Sequence, residues 1–344
     1  MNTQHEKWEF LPHRLMANRH VQTVLGVHLP RRYATEQAIQ HCVTLGDGDQ
    51  IVLHEDRPLQ SADDQHCVLL IHGLAGCYLS TYMRRMAEKL VGKGNRVFRM
   101  DMRDCGAGAG LARRPSHCGR SSDVASALHA IAELYPDAST SIVAYSMGGT
   151  ITANMLAEAG EIRIANLDRS FVICPPIDLE HVERHFRTSW GRIYDKILVR
   201  NIWSQLLARW KRFPDIAPSN IPERPNRLRD FDDMITAPSG GFTSAEDYYR
   251  KASPGPKLAS IRQPLTIFFS EDDPVVPMGP LLDFPRSSSV QVITTRHGGH
   301  LGFLAKRGTD SDVRWLDWRI LEWLQQDECS SPGANESTAQ VQTV

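Results

Sequence analysis

A serine hydroxyl attacks an acyl carbon when a histidine takes its proton and a carboxylate holds that histidine in one tautomer. Ser146 lies in Ala144-Tyr145-Ser146-Met147-Gly148-Gly149, where an apolar run, Ser141 to Ala144, gives way to helix-like sequence. This is a G-x-S-x-G elbow with Ala144 in place of the first glycine. The sharp turn of such an elbow strains the serine backbone and lifts its hydroxyl clear of the sheet edge. Small residues are needed two positions either side, where the turn leaves no room. A strand-to-helix turn that merely packs closely has the same composition, so the other members of the set must decide.

Those members follow in the order Ser, Asp, His. The β-rich run Pro264 to Ser270 leads into Glu271-Asp272-Asp273-Pro274-Val275-Val276-Pro277, and Val290 to Thr295 leads into Arg296-His297-Gly298-Gly299-His300. Each candidate emerges at the carboxyl end of an expected strand, where open α/β sheets place ligand-facing loops. Asp272 and Asp273 are both eligible as the acid, and His297 and His300 as the base. The two glycines before His300 permit a tight loop and favour it over His297, which reads as structural. The expected oxyanion donors are the amides of Met147, just after the nucleophile, and Leu74, after the strand Val68 to Ile71. His72, between that strand and Leu74, reads as architectural.

The elements that must position these residues alternate strand and helix, as in a doubly wound sheet. A hairpin, 39–45 and 51–55, turns at Gly46-Asp47-Gly48-Asp49. The strand at 67–71 precedes a helix with Met83, Met86, Ala87 and Leu90 on one face, stopped by Gly92 and Gly94. A strand over 96–102, a helix with Val124, Leu128, Ile131 and Tyr135, the strand at 141, the helix after Ser146 to Gly160 and a strand over 171–174 follow. A last helix spans about 312–324 with Val313, Leu316, Ile320 and Trp323 on one side. The expected organisation is an arm over 1–36 packing on the core, an α/β core over 37–176 and 264–326, a helical cap over 177–263, and a disordered tail over 327–344.

Length and composition fit one enzyme-sized unit: 344 residues, 41% hydrophobic. A net charge of −1 gives no reason to expect nucleic acid. The start of the chain, Met1 to Lys7, is polar and no apolar run approaches a membrane span, so cytoplasmic residence is the expectation. Seven scattered cysteines without C-x-x-C pairs argue for reduced thiols and against a zinc site.

The expected cap carries its clearest helix over 198–213, where Leu198, Val199, Ile202, Trp203, Leu206, Leu207 and Trp210 form a wide apolar face. Packing on the core is the simpler use of that face; lining an acyl-chain tunnel or touching lipid is the other. Residues 183–229 hold eleven Arg or Lys against four Asp or Glu, which suits a solvated surface or transient contact with an anionic membrane surface. Two other motifs are discounted. Gly106-Ala107-Gly108-Ala109-Gly110 has the wrong spacing for a dinucleotide loop and no helix start after it. His181-Val182-Glu183-Arg184-His185 is H-x-E-x-H rather than a zinc signature. Asp232 and Asp233 are expected to orient the cap by hydrogen bonds.

Taken in order, several separate motifs resemble the YheT-like α/β-hydrolases, related to the eukaryotic α/β-hydrolase domain-containing proteins one to three. They are His20-Val21-Gln22-Thr23, His72-Gly73-Leu74-Ala75-Gly76, Phe231-Asp232-Asp233, Thr236-Ala237-Pro238, Gly241-Phe242, Asp247-Tyr248-Tyr249, Asp272-Asp273-Pro274 and Gly298-Gly299-His300-Leu301-Gly302-Phe303, over about residues 10–305. The D-P-V-V-P spacing after Asp272 also resembles the acid loop of α/β-hydrolases and favours Asp273. The resemblance implies an α/β-hydrolase fold, here a mostly parallel sheet of about eight strands with a cap, and Ser146, Asp273 and His300 as nucleophile, acid and base. It implies hydrolysis of carboxylic esters, acylglycerols among them, with no cofactor or metal and a small acyl ester or lipid as partner. Some relatives transfer acyl groups to alcohols, which makes an acyltransferase the alternative, and a non-catalytic binding protein on the same fold is a third reading. This chain departs from the family at Ala144, where glycine is usual, and at Arg103-Asp104-Cys105-Gly106, where Arg-Gly-Cys-Gly is usual.

Overall fold

The structure is a computed structural model that describes residues 9–29, 38–59, 65–308, 310–325 and 341–343. Its strands are β1 Ile39–Thr44, β2 Gln50–Asp56, β3 Cys67–Ile71, β4 Arg96–Asp101, β5 Thr140–Tyr145, β6 Leu167–Ile173, β7 Leu265–Ser270, β8 Val290–Thr295 and β9 Val341–Thr343. They form one sheet in the order β1-β2-β4-β3-β5-β6-β7-β8-β9. The pairs β1–β2 and β2–β4 are antiparallel, and every later pair is parallel. In β3, β4, β5 and β7 every residue is buried, because helices cover both faces, and the arginines of β4, Arg96 and Arg99, are buried against Glu55 and Asp56 of β2. The chain winds one way from β3 to β4 and the other way from β5 to β6, so a crevice opens outside the carboxyl ends of β3 and β5.

The helices are α1 Arg19–His28, α2 Thr81–Val91, α3 Ser121–Leu134, α4 Met147–Ala159, α5 Leu179–Phe186, α6 Gly191–Arg212, α7 Leu228–Phe231, α8 Ala237–Gly240, α9 Ala245–Ala252, α10 Gly279–Asp283 and α11 Trp315–Leu324. Helix α2 buries Met83, Met86, Ala87 and Leu90, the stripe its spacing predicts. Helices α5 to α9 lie between β6 and β7 in the chain, the stretch expected to form the cap. Among the described residues no helix is long and apolar enough to cross a membrane.

Two elements differ from the sequence reading. Helix α6 begins at Gly191 rather than near 198, and its buried face runs Asp195, Val199, Ile202, Trp203, Leu206, Arg209, Trp210. Two of those positions are charged, so an apolar template stops short of the true helix start. Leu207, expected on the buried face, is exposed. Ile202, Trp203, Leu206 and Trp210 join Phe231 in a cluster of their own, packed over Leu74 and Ala75. Within the expected tail over 327–344, residues 327–340 and 344 lie outside the described residues, and Val341–Thr343 pair in parallel with Val292–Thr294 of β8. The open edge of β8 gives that short β-prone segment main-chain partners.

Candidate active site

Ser146 separates β5 from α4 with φ 50° and ψ −119°, a conformation that costs a non-glycine residue about 1–3 kcal/mol. Its N–H donates to the carbonyl of Ile173 at 2.8 Å, which ties the elbow to the end of β6. Gly148 is required: a β-carbon there would lie 2.6 Å from the His72 carbonyl oxygen. Ala144 is different. It is a regular residue of β5, in register with Ile71 and Val172, and its methyl group is buried in the core. The elbow therefore forms with alanine two residues before the serine.

The carboxyl ends of β7 and β8 bring Asp273 and His300 to this serine. His300 Nε2 lies 3.1 Å from Ser146 Oγ, and His300 Nδ1 lies 2.8 Å from Asp273 Oδ2. The buried Asp273 carboxylate also accepts main-chain N–H groups of Val275 at 2.8 Å and Val276 at 2.9 Å through Oδ1. A carboxylate facing Nδ1 selects the tautomer with its proton there and leaves Nε2 free to accept from the serine hydroxyl. The adjacent Asp272 faces elsewhere: it accepts from Ser270 Oγ at 2.6 Å and the Gly299 N–H at 2.9 Å, and meets the exposed His297 at 3.3 Å. Asp272 and His297 brace the loop, and Asp273 and His300 converge on Ser146.

On the other side of the serine runs the loop after β3. A β-carbon on Gly73 would sit 3.2 Å from Ser146 Cβ, so the backbone passes directly beside the hydroxyl. His72 is wholly buried and donates from Nδ1 to the Gly73 carbonyl at 2.7 Å, while its Nε2 accepts the Met102 N–H at 3.2 Å. Burial pushes its pKa down, and both nitrogens are occupied, so it holds the loop as a neutral architectural residue. Tyr82 Oη accepts the Gly73 N–H at 3.0 Å. Among the described residues the Leu74 and Met147 amides have no protein acceptor, as two donors reserved for a ligand oxygen would require.

Sequence reasoning gave no role to several residues that shape this site. Asp101 accepts the Tyr78 N–H at 2.7 Å, the Ala107 N–H at 2.8 Å and His54 Nε2 at 2.9 Å, fastening the loops after β3 and β4 together. His185 lies 2.9 Å from the Pro274 carbonyl through Nε2, so the H-x-E-x-H segment supports the Asp273 loop. Thr23 Oγ1 accepts the His300 N–H at 2.9 Å. A polar pair, Gln22-Thr23, in the middle of an otherwise apolar helical stretch was the available signal. Asp232 and Asp233, by contrast, were expected to make hydrogen bonds that orient the cap: Asp233 Oδ1 accepts the Ala245 N–H at 2.6 Å and Asp232 Oδ2 accepts the Tyr249 hydroxyl at 2.8 Å, tying Asp232–Thr236 to α9. Burial raises the Asp232 pKa to about 7. Among the described residues the one group with metal-ligand spacing is Cys174, Asp273 and His300. Burial pushes the Cys174 thiol well above its ordinary range.

Residues 67–306 match the family described as alpha/beta hydrolase fold. The chain is 30% identical over 320 residues to the putative esterase YheT of Escherichia coli (strain K12), covering 92% of this chain and 93% of that protein. It is 23% identical over 300 residues to a monoacylglycerol lipase of Saccharomyces cerevisiae (strain ATCC 204508 / S288c), covering 84% and 66%. Among solved structures it is similar in fold to Est1E from Butyrivibrio proteoclasticus with ferulic acid bound, at a TM-score of 0.53 and 14% identity over 83% of this chain and 98% of that one. An elbow serine between β5 and α4, an acid after β7 and a histidine after β8, with a relative of this identity along nearly its whole length, place the chain in the α/β-hydrolase family, among the YheT-like members.

Proposed function

We propose that the protein is a serine hydrolase of carboxylic esters, with Ser146 as nucleophile, His300 as base and Asp273 as the acid that orients it. The observation that carries this reading is the pair of distances at His300, 3.1 Å to Ser146 Oγ and 2.8 Å to Asp273 Oδ2. Ser146 Oγ bonds to the acyl carbon as its proton passes to His300 Nε2, and the carbonyl oxygen takes up negative charge facing the Leu74 and Met147 amides. Collapse of that adduct breaks the ester C–O bond, and His300 returns the proton to the leaving alcohol. Water, giving its proton to His300, then attacks the acyl carbon, the bond from that carbon to Ser146 Oγ breaks, and His300 returns the proton to Oγ as the acid leaves. The apolar cluster of α6 and Phe231 over Leu74 and Ala75 supports an acyl chain as the group beside the oxyanion site. Acylglycerols are the substrate class that the lipase relative suggests.

A fluorophosphonate probe, which reacts with activated serines, tests the reading. Wild type is expected to be labelled and to hydrolyse p-nitrophenyl esters and monoacylglycerols, and Ser146→Ala to lose both. Equal labelling of Ser146→Ala sinks the assignment. Alcohol added to the assay shows by product analysis whether acyl transfer competes with hydrolysis.

The outward side of α6 supports transient contact with an anionic lipid surface. Ile193 and Ile197 are exposed along it beside Arg192, Lys196 and Arg200, which among the described residues pair with no carboxylate. Sedimentation with vesicles is expected to retain the protein on phosphatidylglycerol and release it with salt, and retention by neutral phosphatidylcholine alone contradicts this contact.

A further inference from the structure

Helix α1 buries residues that a helix docked only for stability would leave outside. Its buried positions are Gln22, Thr23 and Gly26, while Val24 is 49% exposed. A helix that only fills core turns an apolar stripe inward. Each buried group of α1 is instead spent on the loop that carries His300 or on Arg314, the residue before α11. The Gln22 side chain donates through Nε2 to the Leu304 carbonyl at 3.0 Å and accepts the Leu304 N–H through Oε1 at 2.7 Å, acting like a neighbouring strand. Thr23 Oγ1 accepts the His300 N–H at 2.9 Å and donates to the Arg19 carbonyl at 2.8 Å. The Gly26 carbonyl accepts from Arg314 Nη1 at 2.6 Å.

The loop needs such support. Gly299, Leu301 and Phe303 have φ of 59°, 64° and 46°, so two residues with side chains lie in the left-handed region within three positions of His300. Strain of this kind persists only where neighbours over-determine the backbone. Those neighbours are α1: a β-carbon on Gly299 would meet Thr23 Oγ1 at 2.7 Å, and one on Gly302 would overlap the Gln22 main chain. The same helix reaches the cap segment. His20, three residues before Thr23 and on the same side of the helix, lies 2.9 Å through Nδ1 from the Tyr194 hydroxyl of α6 and stacks on Trp190 at 4.5 Å.

We propose that Gln22 and Thr23 are positioning residues for His300, and that the contact of His20 with Tyr194 makes their hold depend on the seating of α6. The proposal rests on the assignment of Ser146 and His300 above. Thr23 sets the main chain of His300, and the loop then delivers Nε2 to Ser146 Oγ. Withdrawal of α6 loosens His20, shifts α1 and moves the base off the serine.

The test compares Thr23→Val, which removes the hydroxyl at nearly constant shape, with Thr23→Ser, which keeps it, and Tyr194→Phe, on the full-length protein. The readouts are kcat and KM on p-nitrophenyl butyrate, the rate of fluorophosphonate labelling and the thermal midpoint. Thr23→Val is expected to lower kcat on the order of 10- to 100-fold with KM changed less than about threefold, because a small misplacement of the base acts on the chemical step. Thr23→Ser should recover most of that loss. Tyr194→Phe should lower kcat by less than Thr23→Val and add little in the Thr23→Val background. Wild-type kcat in Thr23→Val, or equal loss in Thr23→Ser, overturns the positioning role while leaving the serine hydrolase reading intact. Undiminished kcat in Tyr194→Phe overturns the link to α6. Should Thr23→Val fail to fold, Thr23→Ser and Tyr194→Phe decide: the inference stands only if the first keeps and the second loses kcat. Labelling of Ser146→Ala would overturn the underlying assignment instead.

Discussion

Ser146, Asp273 and His300 come from three loops and meet within hydrogen-bond reach, yet the two carboxylates at 272 and 273 are adjacent in the chain and differ only in what they face. Asp273 meets His300 Nδ1, and Asp272 meets Ser270, Gly299 and His297. An amide at 273 presents the imidazole with a donor as easily as an acceptor and frees it to hold the wrong tautomer. Asp273→Asn is therefore expected to lower kcat by about 10⁴, and Asp272→Asn by about tenfold at most, through loop geometry alone. Steady-state kinetics on the two variants check this, and equal losses contradict the assignment of the acid. The adjacency explains why residue type and chain position left both eligible until the resemblance of the D-P-V-V-P spacing favoured Asp273: in a turn, successive side chains point in different directions that follow from backbone angles rather than from residue type.

Helix α6 is held to the body of the protein by charge as well as by its apolar cluster. Arg209 Nε donates to Asp104 Oδ2 at 2.9 Å and Arg212 Nη1 to Asp104 Oδ1 at 3.3 Å, with Arg209 and Asp104 both buried. Asp104 has φ 55°, where glycine is the easier residue, so this departure from the usual Arg-Gly-Cys-Gly stretch accepts backbone strain in exchange for an anchor. Asparagine tolerates the same backbone but carries no charge. Asp104→Asn is expected to lose about 3 kcal/mol in urea unfolding, because it leaves the buried Arg209 charge without its partner, and Arg209→Met is expected to lose less, because Asp104 keeps Arg212 and the Gly110 N–H. The double variant should lose clearly less than the sum, and strict additivity would show that the two groups do not interact.

Across the whole molecule, buried carboxylates join distant parts of the chain. Burial pushes the Glu55 carboxyl up, but hydrogen bonds from Arg57, Tyr135, Arg96 and His41 outweigh it and hold its pKa at about 2, below its ordinary 4.5. Glu55 thereby links β1, β2, β4 and the end of α3. Asp317 of α11, also opposed by burial, is held well below the usual carboxylate range by Arg85 and Lys89 of α2. A carboxyl whose pKa is lower in the folded state stabilises the protein above the unfolded pKa and loses that contribution as pH falls to the folded one. Stability should drop steeply between about pH 4.5 and pH 2. Glu55→Gln should be less stable than wild type at neutral pH and approach it near pH 2. A constant gap across that range, measured by thermal unfolding, would remove Glu55 from this role.

Much of the architecture was legible because it rests on local regularities. Helix α2 buries the stripe its spacing predicts, β3 is a continuous apolar run and β5 carries one over Ile142 to Ala144, and Gly148 sits where an elbow leaves no volume for a β-carbon. Ser146 and the histidine of the last loop were legible because strand ends and chain order are properties of the sequence itself. What only the tertiary structure decided involves partners far apart in the chain. The bracing contacts of Asp272, the charged residues inside the buried face of α6, and the support that Thr23 gives His300 across 277 positions are of this kind. Periodicity reports which faces are apolar, whereas hydrogen bonds between distant groups depend on directions and distances that exist only once the chain has folded.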